Sequence, residues 1–124
     1  MTFAMVALCA VLLSCQQRDA VAPTLAIVMR VQPNPPHVGN CTIEIDLHDT
    51  ASAPVRGATV RLEGNMAHPG MAPSFAKTRE IEPGRYRGNL ELTMAGDWTV
   101  LVEARLASGT TVHRALPLPR VLNR

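Results

Sequence analysis

Aromatic residues are scarce in this 124-residue chain, which has one Trp, one Tyr and two Phe. Any core must therefore be built from Val, Leu, Ile, Ala and Met, and a single buried ring carries an unusually large share of the apolar area. Lysine is nearly absent as well: eleven of the twelve basic residues are Arg, scattered among ten acids. A net charge of +2 without a basic run gives no electrostatic footprint for nucleic acid. There are only three cysteines, at positions 9, 15 and 41, too few for a disulfide framework. No segment has a convincing helical period, no internal repeat is visible, and no Gly-rich loop precedes a helix to cradle phosphate.

What is present begins with an uncharged apolar run, Phe3 to Leu13. Its length suits the h-region of a signal peptide and is too short to span a bilayer as a mature helix. The opening Met1-Thr2-Phe3-Ala4 lacks the Lys or Arg usual in a secretory leader. The run ends in Leu12-Leu13-Ser14-Cys15, a tetrapeptide that resembles the lipobox of bacterial lipoproteins. The expectation is a leader over 1–14, acylation of Cys15 and a polar tether over 15–23. The mature protein would then be a periplasmic, membrane-anchored lipoprotein of the bacterial envelope. An ordinary cleaved leader, or a buried N-terminal strand, with an incidental cysteine is the alternative. About 110 residues remain after the leader, enough for one domain that buries roughly two-thirds of its unfolded surface.

From residue 24 to 121 the hydrophobic period is two almost throughout. Thr24 to Val31 sets Leu25, Ile27, Met29 and Val31 on one face; Thr42 to His48 sets Ile43, Ile45 and Leu47 inward and Glu44, Asp46 and His48 outward. Thr59 to Glu63 follows with Val60 and Leu62 inward, and Phe75 to Ile81 reads as one weaker edge strand. Pro83-Gly84 forms a turn, because Pro presets the first central position and Gly supplies positive φ at the second. Arg85 to Thr93 then turns Tyr86, Gly88, Leu90 and Leu92 inward, and Asp97 to Arg105 does the same with Trp98, Val100, Val102 and Ala104. A turn at 107–110 leads to a last strand over 111–118, where Pro117 and Pro119 are expected to end regular pairing. About seven strands predict an all-β, immunoglobulin-like antiparallel β-sandwich, with a small β-barrel as the alternative.

Chemistry is concentrated in one loop, Asn65-Met66-Ala67-His68-Pro69-Gly70-Met71-Ala72-Pro73. Thioether sulfur is a soft, uncharged donor and imidazole a borderline one, so this set suits Cu(I) better than Zn(II), Mg(II) or Ca(II). The plainer reading makes Met66 and Met71 adaptable filler at the end of the core and His68 a solvated residue. In a run of antiparallel strands, alternate connections emerge at the same end. That brings His37, then Met66, His68 and Met71, then Met94 to one end, with His48 at the other and His113 on the last strand. The candidate metal ligands are Met66, His68, Met71 and Met94, with His37 as a further donor.

The residues also resemble a known family, the FixH-like and YtkA-like proteins of bacterial envelopes. The resemblance rests on Gly39 before an alternating strand, Asp46, Pro54-Val55-Arg56-Gly57-Ala58, the Met66 to Met71 loop, Pro83-Gly84-Arg85-Tyr86 and Thr93-Met94-Ala95-Gly96-Asp97-Trp98. It covers roughly Thr24 to Val121. It implies an immunoglobulin-like sandwich on the outer side of the cytoplasmic membrane, associated with copper handling or with assembly of copper-containing respiratory oxidases. The FixH branch has a transmembrane helix, and this chain has no segment of that kind.

No catalytic constellation is expected. Ser52, Ser74 and Ser108 sit in turns without a His-acid signature, and the pairs Glu80/Glu82 and Asp46/Asp49 lack an apolar pocket that would tune them for acid-base work. Cys41 at a strand start reads as a small buried hydrophobe, with copper thiolate ligation as the alternative. Two functions follow from the residues. One is a lipid-anchored protein that holds or transfers Cu(I), partnered with a copper-handling or other envelope protein. The other is a non-metal interaction module that docks on an envelope complex such as an efflux pump or an oxidase under assembly.

Overall fold

A computed structural model describes residues 24–123. The expected leader, the acylation at Cys15 and the tether lie outside the described residues. The strands are β1 (Ala26–Gln32), β2 (Gly39–His48), β3 (Thr59–Met66), β4 (Ser74–Lys77), β5 (Arg79–Glu82), β6 (Arg85–Leu92), β7 (Gly96–Arg105) and β8 (Thr111–Val121). They form two four-stranded antiparallel sheets, in the orders β1-β2-β6-β5 and β4-β3-β7-β8. That is the immunoglobulin-like arrangement, A-B-E-D facing G-F-C with one strand added beyond C.

Alternation positions the core. Ile43, Ile45 and Leu47 of β2 and Tyr86, Leu90 and Leu92 of β6 face Val60 and Leu62 of β3 and Trp98, Val100, Val102 and Ala104 of β7, all buried. Each aliphatic side chain so buried contributes about 1.5–3 kcal/mol. Among the described residues only the rings of Tyr86 and Trp98 supply aromatic area to this core; Phe75 on β4 stays 70% exposed. The indole of Trp98 and the side chain of Leu90 pack over Gly64 of β3, where a Cβ would stand 3.4 Å from Trp98 Cε3 and 3.0 Å from Leu90 Cδ2. Tyr86 adds a polar tie: its hydroxyl donates to Val55 O at 2.8 Å and accepts from Ala58 N at 3.0 Å, holding the β2–β3 loop against the sheet.

Two expectations are corrected. The segment from Phe75 to Ile81, expected as one strand, is two, which brings the expected about seven strands to eight. At Thr78 the chain leaves one sheet and joins the other, and both Thr78 N and Thr78 Oγ1 donate to Val60 O, at 3.3 and 2.7 Å. The crossing passes so close to β6 that a Cβ on Gly88 would lie 2.6 Å from Lys77 O. Pro117 and Pro119 do not end the pairing: β8 continues to Val121, with Pro117 opposite Thr99. β8 is an edge strand, where a missing N–H removes no ladder bond from a central pair. Pairing slips between Gly96 and Trp98, and Arg120, at φ 53°, donates its N–H to Asp97 Oδ1 at 2.9 Å across the irregularity.

On the outer face of the first sheet Asp46 is buried although its strand phase turns it outward. Arg30 and Arg85 cover it, at 2.8 and 2.9 Å from its two oxygens. Among the described residues every buried side-chain nitrogen and oxygen has a partner.

Candidate functional site at one end of the sandwich

The strand register determines which loops share an end. Gln32 pairs with Thr42, Gly39 with Leu92, and Met66 with Trp98. The β1–β2 loop (33–38), the β3–β4 loop (67–73) and the β6–β7 turn (93–95) therefore emerge together. Ala26 pairs with His48, Asp46 with Arg85, and Thr59 with Arg105, which sends the start of β1, the β5–β6 turn and the β2–β3 loop to the opposite end. β8 closes the first end: Val38 N donates to Leu122 O and Leu122 N to Pro36 O, each at 2.9 Å.

Within this end Met66 is half-buried and packs against the core. Its Cε lies 3.0 Å from where a Cβ on Gly96 would be, and Gly96 holds φ +128°. Glycine is needed there both for the backbone conformation and for the thioether that presses on it. Two residues on, Trp98 Nε1 donates to Met94 O at 2.9 Å. The indole thus anchors the turn that carries Met94, whose side chain is 44% exposed. In the β3–β4 loop Met71 is half-buried and His68 exposed, and Met71 N donates to His68 O at 3.4 Å.

His37 lies in the β1–β2 loop at the same end and forms an isolated parallel bridge with Leu122. Its carbonyl accepts a hydrogen bond from Cys41 Sγ at 3.2 Å. Cys41 is fully buried beneath it, a small core residue. His48 lies at the opposite end, bridged to Pro54, and His113 is on β8 opposite Glu103.

The three loops contain no Asp, Glu, Lys or Arg. The loops carry two thioethers and two imidazoles, with Met66 at the root of the β3–β4 loop. Among the described residues no three His, Cys, Asp or Glu side chains come together. Thioether and imidazole suit a soft ion better than a hard one. A surface hollow of about 770 Å³ opens between the edges of β1 and β8 and reaches Asn34, Pro35 and Pro36 of the β1–β2 loop, but none of Met66, His68, Met71 or Met94 lines it.

The role of Gly96 was hidden in the sequence. The Thr93 to Trp98 motif stands out there, but nothing local reveals that a methionine thirty positions earlier packs onto its glycine. Asp97, a turn residue by its position, also reaches across to β8.

The carboxylates farther off are structural. Glu80 accepts from Gly84 N at 3.0 Å and Gly57 N at 3.1 Å, and these bonds, Gly84 first, hold its carboxyl below the ordinary value. Glu44 is lowered chiefly by its hydrogen bond from Arg87.

No curated protein matches the sequence. The YtkA-like family profile matches residues 20–103, from the approach to β1 through most of β7. With the match covering more than half of the chain and an all-β sandwich beneath it, this protein belongs to the YtkA-like family.

Proposed function

We propose that this protein binds Cu(I) at the loop end of its sandwich and holds it or passes it to a partner in the bacterial envelope, without catalysis. Met66, His68, Met71 and Met94 would be the donors, with His37 as a further one. The observation that carries the reading is the emergence at one end of three uncharged loops bearing His37, His68, Met71 and Met94, with Met66 the last residue of the strand that enters one of them. Soft neutral ligands favour the cuprous state of the metal, which is all the ion itself would contribute. The protein's part is to hold the loops: Trp98 through the Met94 carbonyl, and Met66 against Gly96.

The reading includes a lipid anchor at Cys15 and a periplasmic location. β1 starts at the end opposite the donor loops, so a domain tethered through residues 15–23 turns those loops away from its attachment point and toward a partner. Cys15→Ala should release the folded protein from the membrane fraction, since acyl chains would provide the anchorage.

The direct experiment is an anaerobic Cu(I) titration against a competing chelator. Stoichiometric binding that weakens on loss of the loop donors supports the proposal; absence of competition rejects it. The second reading, a docking module for an envelope complex, draws on the exposed Phe75 and Leu101 of the second sheet. It becomes the better one if Cu(I) is not retained.

A further inference from the structure

The crossing at Thr78 leaves a hollow of about 320 Å³ beside β6, lined by Lys77, Thr78, Arg79, Arg87, Gly88 and Asn89. Arg79 and Arg87 stand directly opposite each other in the β5–β6 register. Like charges so placed destabilise an antiparallel pair. The full cross-strand row is Arg30, Glu44, Arg87 and Arg79, with a single carboxylate among its guanidinium groups.

That carboxylate is fully engaged on the inner side of the row. Glu44 Oε1 accepts from Arg87 Nε at 3.0 Å and Nη2 at 2.7 Å, while Oε2 lies 3.6 Å from Arg30 and 4.0 Å from Arg85. Asp46 and Glu82 are taken by Arg30 and Arg85. Among the described residues no carboxylate pairs with Arg79 or Lys77, and neither side chain has another partner. Asn89 accepts from Thr42 Oγ1 through its Oδ1, at 3.3 Å, which leaves its amide N–H groups to donate.

The geometry points to an oxyanion site in this hollow: a phosphate group held by Arg79 and Lys77, with Arg87 on its inner side and the Asn89 amide donating. A bound dianion between the opposed guanidinium groups relieves their repulsion: the free fork of Arg79 matches phosphate oxygens in pairs, while Arg87, whose Nε and Nη2 are given to Glu44, adds its remaining N–H groups. A volume of about 320 Å³ is at the small end for ligand pockets. It has room for inorganic phosphate or one phosphodiester headgroup. Free phosphate and a phospholipid headgroup share this chemistry.

The test is to titrate the full chain with inorganic phosphate and, separately, with glycerophosphoglycerol as a soluble headgroup. Ionic strength is held constant with chloride, because screening alone alters exposed charges. Amide chemical shifts of residues 77–79 and 87–89 should move saturably, and Arg79→Gln should weaken the binding by about tenfold or more. Tighter binding of inorganic phosphate identifies the free ion as ligand; tighter binding of the diester identifies the headgroup. In phosphate-free buffer the thermal midpoint of Arg79→Gln should equal or exceed that of the parent, since a like-charge pair is removed. Shifts that never saturate for either compound, equal affinity in the variant, or a lower midpoint for the variant would each overturn the proposal.

Discussion

Trp98 Nε1 donates to the Met94 carbonyl oxygen at 2.9 Å, so the turn that presents an exposed thioether is fastened to the most deeply packed ring of its sheet. The bond runs back four residues and crosses from the first strand of the turn's exit to its tip. It links core packing to the geometry of the loop end. Trp98→Phe keeps most of the apolar burial and removes the donor. The expected cost is about 1–2 kcal/mol, with faster amide exchange confined to residues 93–97. Trp98→Ala removes the ring and should cost about 3–5 kcal/mol, read as a large fall in the thermal midpoint.

Met71→Leu and Met94→Leu separate ligation from packing, because Leu keeps the apolar volume without the sulfur. Both variants should fold, and Met94→Leu should leave the thermal midpoint unchanged because the native side chain is 44% exposed. Each should lose Cu(I) to a competing chelator sooner than the parent does. Unchanged retention by both would remove these residues from the site.

Gly88→Ala and Gly64→Ala should differ although both glycines face the interior. At Gly88 the new Cβ meets a backbone carbonyl, Lys77 O, at 2.6 Å; at Gly64 the closest atom is the side-chain terminus of Leu90, at 3.0 Å. A side-chain end can rotate aside, whereas the crossover backbone is held by Thr78. Gly88→Ala should cost about 3 kcal/mol and Gly64→Ala about 1 kcal/mol, measured by denaturant unfolding. Equal losses would show that the crossover is not rigid.

Glu80 supplies an acid-dependent term. Its folded carboxyl titrates below the ordinary value of 4.5 because Gly84 N and Gly57 N donate to it. The stability it contributes is therefore complete above the unfolded value and is lost as pH falls through the lowered folded one. Glu80→Gln should be less stable than the parent at neutral pH, with the difference narrowing below about pH 4.5. Thermal midpoints from pH 7 down to pH 3 check this; a constant difference would mean that the carboxylate's charge plays no part.

Much of the fold can be read from alternation because each strand lies between solvent and one core. A period of two is the local trace of that position, and the inward sets on β2, β3, β6 and β7 follow from it. The crossover at Thr78 was not legible, since alternation runs through it without a break and Phe75 to Ile81 looks like a single edge strand. The miscount left the ends of the sandwich in place for a specific reason. β4 and β5 run on in the same direction, one into each sheet, so the additional strand does not reverse the chain. The grouping of the Met66 to Met71 loop with Met94 depends only on such reversals.

The amino-acid sequence by itself determined strand phase, the turn at Pro83-Gly84, the aliphatic character of the core and the placement of His37, His68, Met71 and Met94 in loops, because each depends on neighbours along the chain; Met66, read as part of the loop, is instead the last residue of β3. Tertiary structure decided which sheet each strand joins, that Met66 packs on Gly96, that Arg30 and Arg85 bury Asp46, and that Arg79 faces Arg87. Those relations depend on hydrogen-bond register between segments far apart in the chain, and a slip of one residue would turn every side chain to the other face.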